Sequence, residues 1–253
     1  MKRKKVIKHN KLNNAAIKLN GSDYKVYLNA IALIKKNQSE DSIAKCCELS
    51  AKEFSIAMKI DQDNAYKILK STADKLVKNQ IVIEKPESDE IQIINIVDTA
   101  IYNKKKGTIK IEFTHGLIQY LKTNDTNYTM YYLAEIADLT SIYAIRLYEL
   151  IQQYKQTGYI SRSIEQLRKM FGIADGEYSL YADFKRKVIG QAIKEISHKT
   201  KFNVDIVEIK DGKKVVKLEF YFNKMIRFEG IDKSGNNRVI FRHTKKVLQP
   251  ELI

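Results

Sequence analysis

Residues 141–151, SIYAIRLYELI, decide how this chain is read. Tyr143, Leu147, Leu150 and Ile151, continued by Tyr154, recur at the helical period and mark a long amphipathic helix that ends near Gly158. Downstream, Ser163 and Gln166 stand at the spacing of a capping box ahead of Leu167 and Met170, and Gly172 stops that short helix. A longer helix runs from about Tyr181 to His198, with Phe184, Val188, Ala192 and Ile196 on its apolar face and Ile189 and Ile193 flanking it. Phe202 to Ile209, a tight turn at Asp211 and Gly212, and Val215 to Phe222 read as a hairpin. Helix, short helix, long helix and hairpin is the order of a winged helix.

The same order precedes it. Asn20, Gly21, Ser22 and Asp23 are turn and cap residues before a helix through Tyr24, Tyr27, Leu28, Ile31 and Ile34. Ser50 and Glu53 repeat the capping-box spacing before Phe54, Ile56, Ala57 and Met58. Past the polar break Asp61 to Asn64, a third helix carries Ala65, Ile68, Leu69, Thr72 and Leu76 on one side. Ile81–Glu84, Ile91–Ile96 and Thr108–Phe113 then read as strands. The duplication lies in pattern rather than identity. It predicts an α+β chain of two tandem winged-helix domains related by a pseudo-twofold, residues 1–124 and 125–227, with a loosely ordered basic tail over 228–253. The polar stretch Thr123–Asn127 marks the division, since the two prolines, Pro86 and Pro250, make no proline-rich linker.

A formal net charge of +15 on 253 residues, clustered in Lys2, Arg3, Lys4, Lys5, Lys8 and Lys11, in Lys185 to Lys187 and in the tail, points to a polyanionic partner. Abundant lysine also keeps a protein soluble, but solubility does not require clusters. Cys46 and Cys47 are adjacent, so no disulfide framework is expected and a reducing cytoplasm fits. The basic start is followed by polar His9, Asn10 and Lys11 rather than an apolar core, and no apolar run nears the ~18 residues of a membrane span.

On the helix from Tyr181, the face opposite the core presents Arg186, Lys187, Gln191 and Lys194, with Lys185 beside them, and Asp183 and Glu195 supply its acid. Such a stripe suits the major groove of DNA, where Arg forks onto guanine, Gln pairs with adenine and Lys anchors phosphate. Lys210, Lys213 and Lys214 surround the Asp211–Gly212 turn and put positive charge at a wing tip. The corresponding helix of the first half offers Asn64, Tyr66, Lys67, Lys70 and Ser71, diluted by Asp74. A solvated helix face is the plainer reading of either set.

Signals of catalysis are weak. Gly230 to Gly235 has phosphate-loop spacing, but Asn236 and Asn237 stand where Lys and Ser or Thr are needed. His9, His115, His198 and His243 are scattered, without the close pair that would hold a metal for a tyrosine-type nickase. Asp61 and Asp63 read as helix caps rather than metal ligands. Neither a cofactor nor a metal site is expected, nor a catalytic residue.

With these residues in place, the chain resembles the iteron-plasmid replication initiators, the RepB/RepE-like Rep proteins with two winged-helix domains. The resemblance rests on VIKHNKLNNAAIKL near the start, YTMYYLAEIADLTSIYAIRLYELI from Tyr128, YADFKRKVIGQAIKEISHKT from Tyr181 and VEIKDGKKVVKLEFYF from Val207. It implies binding of double-stranded origin DNA at direct repeats, one winged helix at each end of a repeat, then local strand opening and recruitment of the host replication initiator and helicase. It also implies a homodimer, formed through the first domain, that represses the initiator's own promoter. The family's phenylalanine and basic triplet fall on Phe184, Lys185, Arg186 and Lys187, and its basic wing on Lys210, Lys213 and Lys214, interrupted here by Asp211. A winged-helix transcriptional repressor or partition-site protein would use the same fold without initiating replication, and a rolling-circle nickase is the enzymatic alternative.

Overall fold

The computed structural model describes residues 4–34, 45–85, 87–122 and 127–222, and the backbone of two strands beyond them. Lys2, Arg3, Gly235, Asn236, Pro250 and most of the expected division at 123–127 lie outside the described residues. The first half runs β1 (Lys5–His9), α1 (Asn10–Asn14), β2 (Ala16–Ile17), α2 (Gly21–Leu33), β3 (Cys46–Ser50), α3 (Ala51–Met58) and α4 (Gln62–Lys78). It continues through β4 (Gln80–Lys85), β5 (Glu90–Asn95), β6 (Val97–Asn103), β7 (Thr108–Phe113) and α5 (His115–Ile118). The second half runs β8 (Tyr128–Tyr132), a 3₁₀ turn (Leu133–Ile136), α6 (Ile142–Gln153), β9 (Tyr159–Ser163) and α7 (Ile164–Met170). One continuous helix follows, made of α8 (Tyr181–Asp183), a π-helical turn (Phe184–Gly190) and α9 (Gln191–Lys199). The strands β10 (Val204–Asp211), β11 (Lys214–Phe222), β12 (Met225–Ile231) and β13 (Asn237–His243) complete the described chain.

Local chemistry sets the helix starts. Asn20 and Asp61 accept hydrogen bonds from the backbone N–H groups of Asp23 and Asn64, so both capping readings hold. Ser50 with Glu53 and Ser163 with Gln166 close complete capping boxes at α3 and α7. In both halves the strand before the box pairs with the last strand of the sheet, giving the orders β3-β7-β6 and β9-β11-β10. The chain is therefore α+β with two winged helices of matching topology.

Several features depart from the pattern reading. The hairpin β4–β5 joins β2 in a separate sheet inserted before the first wing, and β6, unforeseen because a bulge at Val97/Thr99 interrupts its alternation, forms that wing with β7. The strands Met225–Ile231 and Asn237–His243 pair antiparallel from Met225↔His243 to Ile231↔Asn237, so residues 228–231 and 237–243 of the tail expected to be loosely ordered over 228–253 are strand; residues 244–253 lie outside the description.

β1 and β8 pair antiparallel about Ile7↔Met130, so the opening strands of the two halves form one ribbon, and α2 and α6 pack beneath it. There Glu149 is fully buried. Its carboxylate pairs with Lys8 Nζ at 2.7 Å and Arg146 Nη1 at 3.3 Å. The hydroxyls of Tyr24 and Tyr131 donate to it at 2.7 and 2.6 Å. Arg146 also donates to the carbonyl oxygens of Leu12, Asn13 and Ala15 at 3.1, 3.0 and 2.6 Å, holding the end of α1 and the residue after it against α6. Burial alone would raise the Glu149 carboxyl; Lys8 and Arg146 outweigh it and hold the group below the usual carboxylate range. Burial draws the Lys8 ammonium down to about 8, because the attraction of Glu149 is partly cancelled by repulsion from Arg146.

Glu149→Gln leaves two buried cations facing one another and is expected to cost about 3–5 kcal/mol in urea unfolding. Because the folded-state pKa of Glu149 is depressed, its contribution is present above the unfolded carboxyl value of roughly 4.3 and is lost as pH falls through the folded value. The variant should therefore show a flatter loss of stability on acidification than the native chain, measured by urea midpoints across that range.

Candidate nucleic-acid interface

The second winged helix builds its outer face on the helix 181–199. Phe184, Val188, Ile189, Ala192 and Ile196 are buried and Ile193 half-buried, so Lys185, Arg186, Lys187, Gln191 and Lys194 are left exposed on the remaining surface. Arg168 on α7 lies over the Phe184 ring at 4.8 Å and donates to the carbonyl oxygen of Glu177 at 2.9 Å, fixing the start of this helix. The π turn was not foreseen. It widens the helix where the basic triplet sits, the kind of local expansion that recurs at functional sites.

Of the two acids read on this helix, Glu195 turns inward. Its carboxylate accepts from Thr140 N and Oγ1, both at 2.8 Å, and from Ser141 N at 3.2 Å, fastening α9 to the start of α6. Asp183 stays at the outer face, where its Oδ1 contacts Arg186 Nη2 at 3.0 Å and Lys187 Nζ at 3.3 Å. Hydrogen bonds from Arg186 and then Lys187 hold its carboxyl below the ordinary range. Lys185 points elsewhere: its ammonium meets Glu208 on β10 at 2.8 Å, and Tyr181 donates to the same oxygen at 2.7 Å. This tie joins the helix to the wing.

In that wing, Asp211↔Lys214 is the last pair, leaving Gly212 and Lys213 as the turn. Gly212 has φ +56° and open space around it, and Lys210, Lys213 and Lys214 are all exposed. The structure thus brings the predicted helix face and wing tip of the second half onto one hairpin-and-helix unit, with Lys185 turned toward the wing rather than outward.

In the first half, α4 is fastened to α2 by Asp23, which accepts from Thr72 at 2.6 Å and pairs with Lys75 at 2.8 Å. Asn64, Lys67, Lys70 and Ser71 are exposed along its outer side. Tyr66 is half-buried and covers the turn between β6 and β7. A Cβ on Gly107 there, at φ +61°, would lie 1.9 Å from the Tyr66 ring. Sequence reasoning missed the tip beside it: Lys104, Lys105 and Lys106 are exposed in this turn, and Asn103 Oδ1 accepts from Lys106 N at 3.1 Å. The local signal is the lysine-rich turn NKKKG ahead of the β run Thr108–Phe113, since the strand before it, β6, lacks a clean alternation.

Among the described residues no group of three or more His, Cys, Asp or Glu could hold a metal, and no helix is long and apolar enough to cross a membrane. Cys46 and Cys47 are both free.

Two family models match in tandem: "Initiator Replication protein, WH1" over residues 5–152 and "Initiator Rep protein, WH2" over residues 163–222. The first span takes in β8 and α6. The PI protein of Escherichia coli is 24% identical over 254 residues, covering 87% of this chain and 83% of that protein. An uncharacterized 27.6 kDa protein of Escherichia coli is 30% identical over 104 residues, 40% of this chain and 44% of the other. Among solved structures, the crystal structure of Pi initiator protein in complex with iteron DNA matches with a TM-score of 0.71 at 25% identity, covering 88% of this chain and 98% of that one.

Gly107→Ala forces a side chain into left-handed backbone and into the Tyr66 ring. A loss of about 1–3 kcal/mol is expected, read as a lower urea midpoint, and a Tyr66→Ala, Gly107→Ala double variant should recover part of the clash but none of the backbone strain.

Proposed function

The chain belongs to the family of replication initiator proteins, DNA-binding proteins without catalytic activity, and on that premise we propose that it binds direct repeats, iterons, at a plasmid origin through both winged helices. The observation that carries this reading is the repeated juxtaposition of an exposed basic helix face and a lysine-bearing wing tip, once in each half of one core. The likeness to a Pi initiator solved on iteron DNA supports it. Residues 1–124 and 125–227 act as the two reading units. In the second, Arg186 and Gln191 read base edges while Lys187, Lys194, Lys210, Lys213 and Lys214 hold phosphates. In the first, Asn64, Lys67, Lys70 and Ser71 face the duplex, Lys104 to Lys106 meet its backbone, and Tyr66 positions the wing.

Binding at several repeats opens the adjacent strands and gathers the host initiator and helicase. The homodimer that represses the promoter forms through the first domain, where β5 is a sheet edge with Ile91 and Ile93 exposed.

Titrating the protein onto the direct repeats beside its own gene and onto scrambled duplex, at fixed salt, tests the proposal: a strong preference with one protein per repeat is expected, and equal binding to both would refute it. Arg186→Ala should cost on the order of 1–3 kcal/mol on the repeat and relax selectivity at one position. Lys213→Ala should weaken all sequences about equally and flatten the salt slope by about one unit; a change in sequence preference alone would contradict its phosphate role.

A further inference from the structure

Each cation of the triplet 185–187 already has an acid of its own chain against it. Lys185 is held by Glu208, and Arg186 and Lys187 converge on one oxygen of Asp183 at 3.0 and 3.3 Å. The second arrangement lies on the open face: the side chains of Arg186 and Lys187 are 75% and 51% exposed, while Asp183 is 34% exposed. It follows from spacing, since residues three and four apart share one side of a helix, and Asp183 also stands in the first turn, where unpaired backbone N–H groups favour an anion.

We propose that Asp183 is a specificity-determining residue, a positioning group that keeps Arg186 and Lys187 from pairing indiscriminately with phosphates and presents the Arg186 fork in one orientation. The inference rests on the reading of this face as the DNA interface. Sequence-independent affinity comes from phosphate contacts. A phosphate approaching Arg186 or Lys187 must displace a carboxylate that is already in contact and tethered one helical turn away, so any duplex gains less from these two cations. The correct base does not meet the same opposition. Arg186 gives one of its nitrogens to Asp183, and a guanidinium has five N–H donors, so the rest of the fork remains for a guanine edge with its direction fixed. Removing the carboxylate therefore helps wrong sequences more than right ones, which is selectivity achieved through an element that opposes the competitor.

The experiment uses the full chain and two duplexes of equal length, one bearing the direct repeat beside its gene and one scrambled, titrated by fluorescence anisotropy at low and moderate salt. Asp183→Asn is expected to tighten binding to the scrambled duplex about 2- to 5-fold at low salt and to tighten binding to the repeat by less, so that the ratio of affinities falls. Asp183→Glu, which keeps the charge on the same face, should restore the ratio; a role confined to starting the helix would leave the ratio unmoved in both variants. Arg186→Ala runs alongside. If it weakens repeat binding while Asp183→Asn leaves the ratio unchanged, the interface stands and the role of Asp183 is refuted. If both variants are silent on both duplexes, this face does not meet DNA and the proposal falls with that reading.

Discussion

Glu149 is the point on which the rest of the structure turns, because a buried carboxylate is tolerated only while its partners stay in place. Those partners come from both sides of the seam between the halves: Lys8 from β1, Tyr24 from α2, Tyr131 from β8 and Arg146 from α6 itself. Apolar packing across the same seam would attract without direction. Hydrogen bonds of 2.6–2.7 Å to a single carboxylate have direction, so the pairing of β1 with β8 and the crossing of α2 and α6 are set together. Arg146 extends the constraint outward through the carbonyl oxygens of Leu12, Asn13 and Ala15.

From that centre the geometry reaches the exposed helix face of each half through one carboxylate. Asp23 on α2 grips α4 through Thr72 and Lys75, and Glu195 on α9 grips the start of α6 through Thr140 and Ser141. The wings are held by different physics. In the first half an aromatic ring lies on a glycine turn, a contact indifferent to salt. In the second, Glu208 joins wing to helix through Tyr181 and Lys185, a tie in which the ion pair weakens as salt rises. The two wings of one protein should thus differ in how firmly they follow their helices when ionic strength changes.

The longer helices were legible in the sequence because their signals are local, whereas α1 and α5, of five and four residues, were not. Both capping boxes, the Asn20 and Asp61 caps and the apolar period of α2, α4 and the helix from Tyr181 can be read within a few residues. β1, β2, β3, β8 and β9 were not legible, since none exceeds five residues and each is defined by a partner far along the chain, as Lys5 is by Tyr132. The π turn has no periodic signature in FKRKVIG, and the pairing of Lys185 with Glu208 depends on how the hairpin packs on the helix. The candidate face itself was largely readable, because an amphipathic helix with a known core side leaves the other side to solvent. The lysines at 104–106 were overlooked for want of β6, without which their turn has no first strand.

Net charge is a poorer guide to this protein's surface than it looks from composition. The N-terminal cluster reads as a polyanion-binding arm, yet Lys8 is buried on Glu149 and Lys11 pairs with Glu87 at 2.9 Å. Lys169 on α7 is taken up by Glu84 and Glu165, and Lys59 by Asp138. Charges neutralised at contact add little to the field felt by a distant polyanion, because an adjacent pair of opposite sign acts as a dipole and its potential falls faster than that of a single charge. The field felt at a distance is therefore weighted toward exposed cations with no acid beside them in the chain, as in the NKKKG turn of the first wing, whereas Lys214 at the second tip stands opposite Asp211. On the proposed reading, the helix face of the second half, where Asp183 lies beside Arg186 and Lys187, discriminates once the duplex has arrived. That reading assigns long-range attraction and short-range selection to different residues.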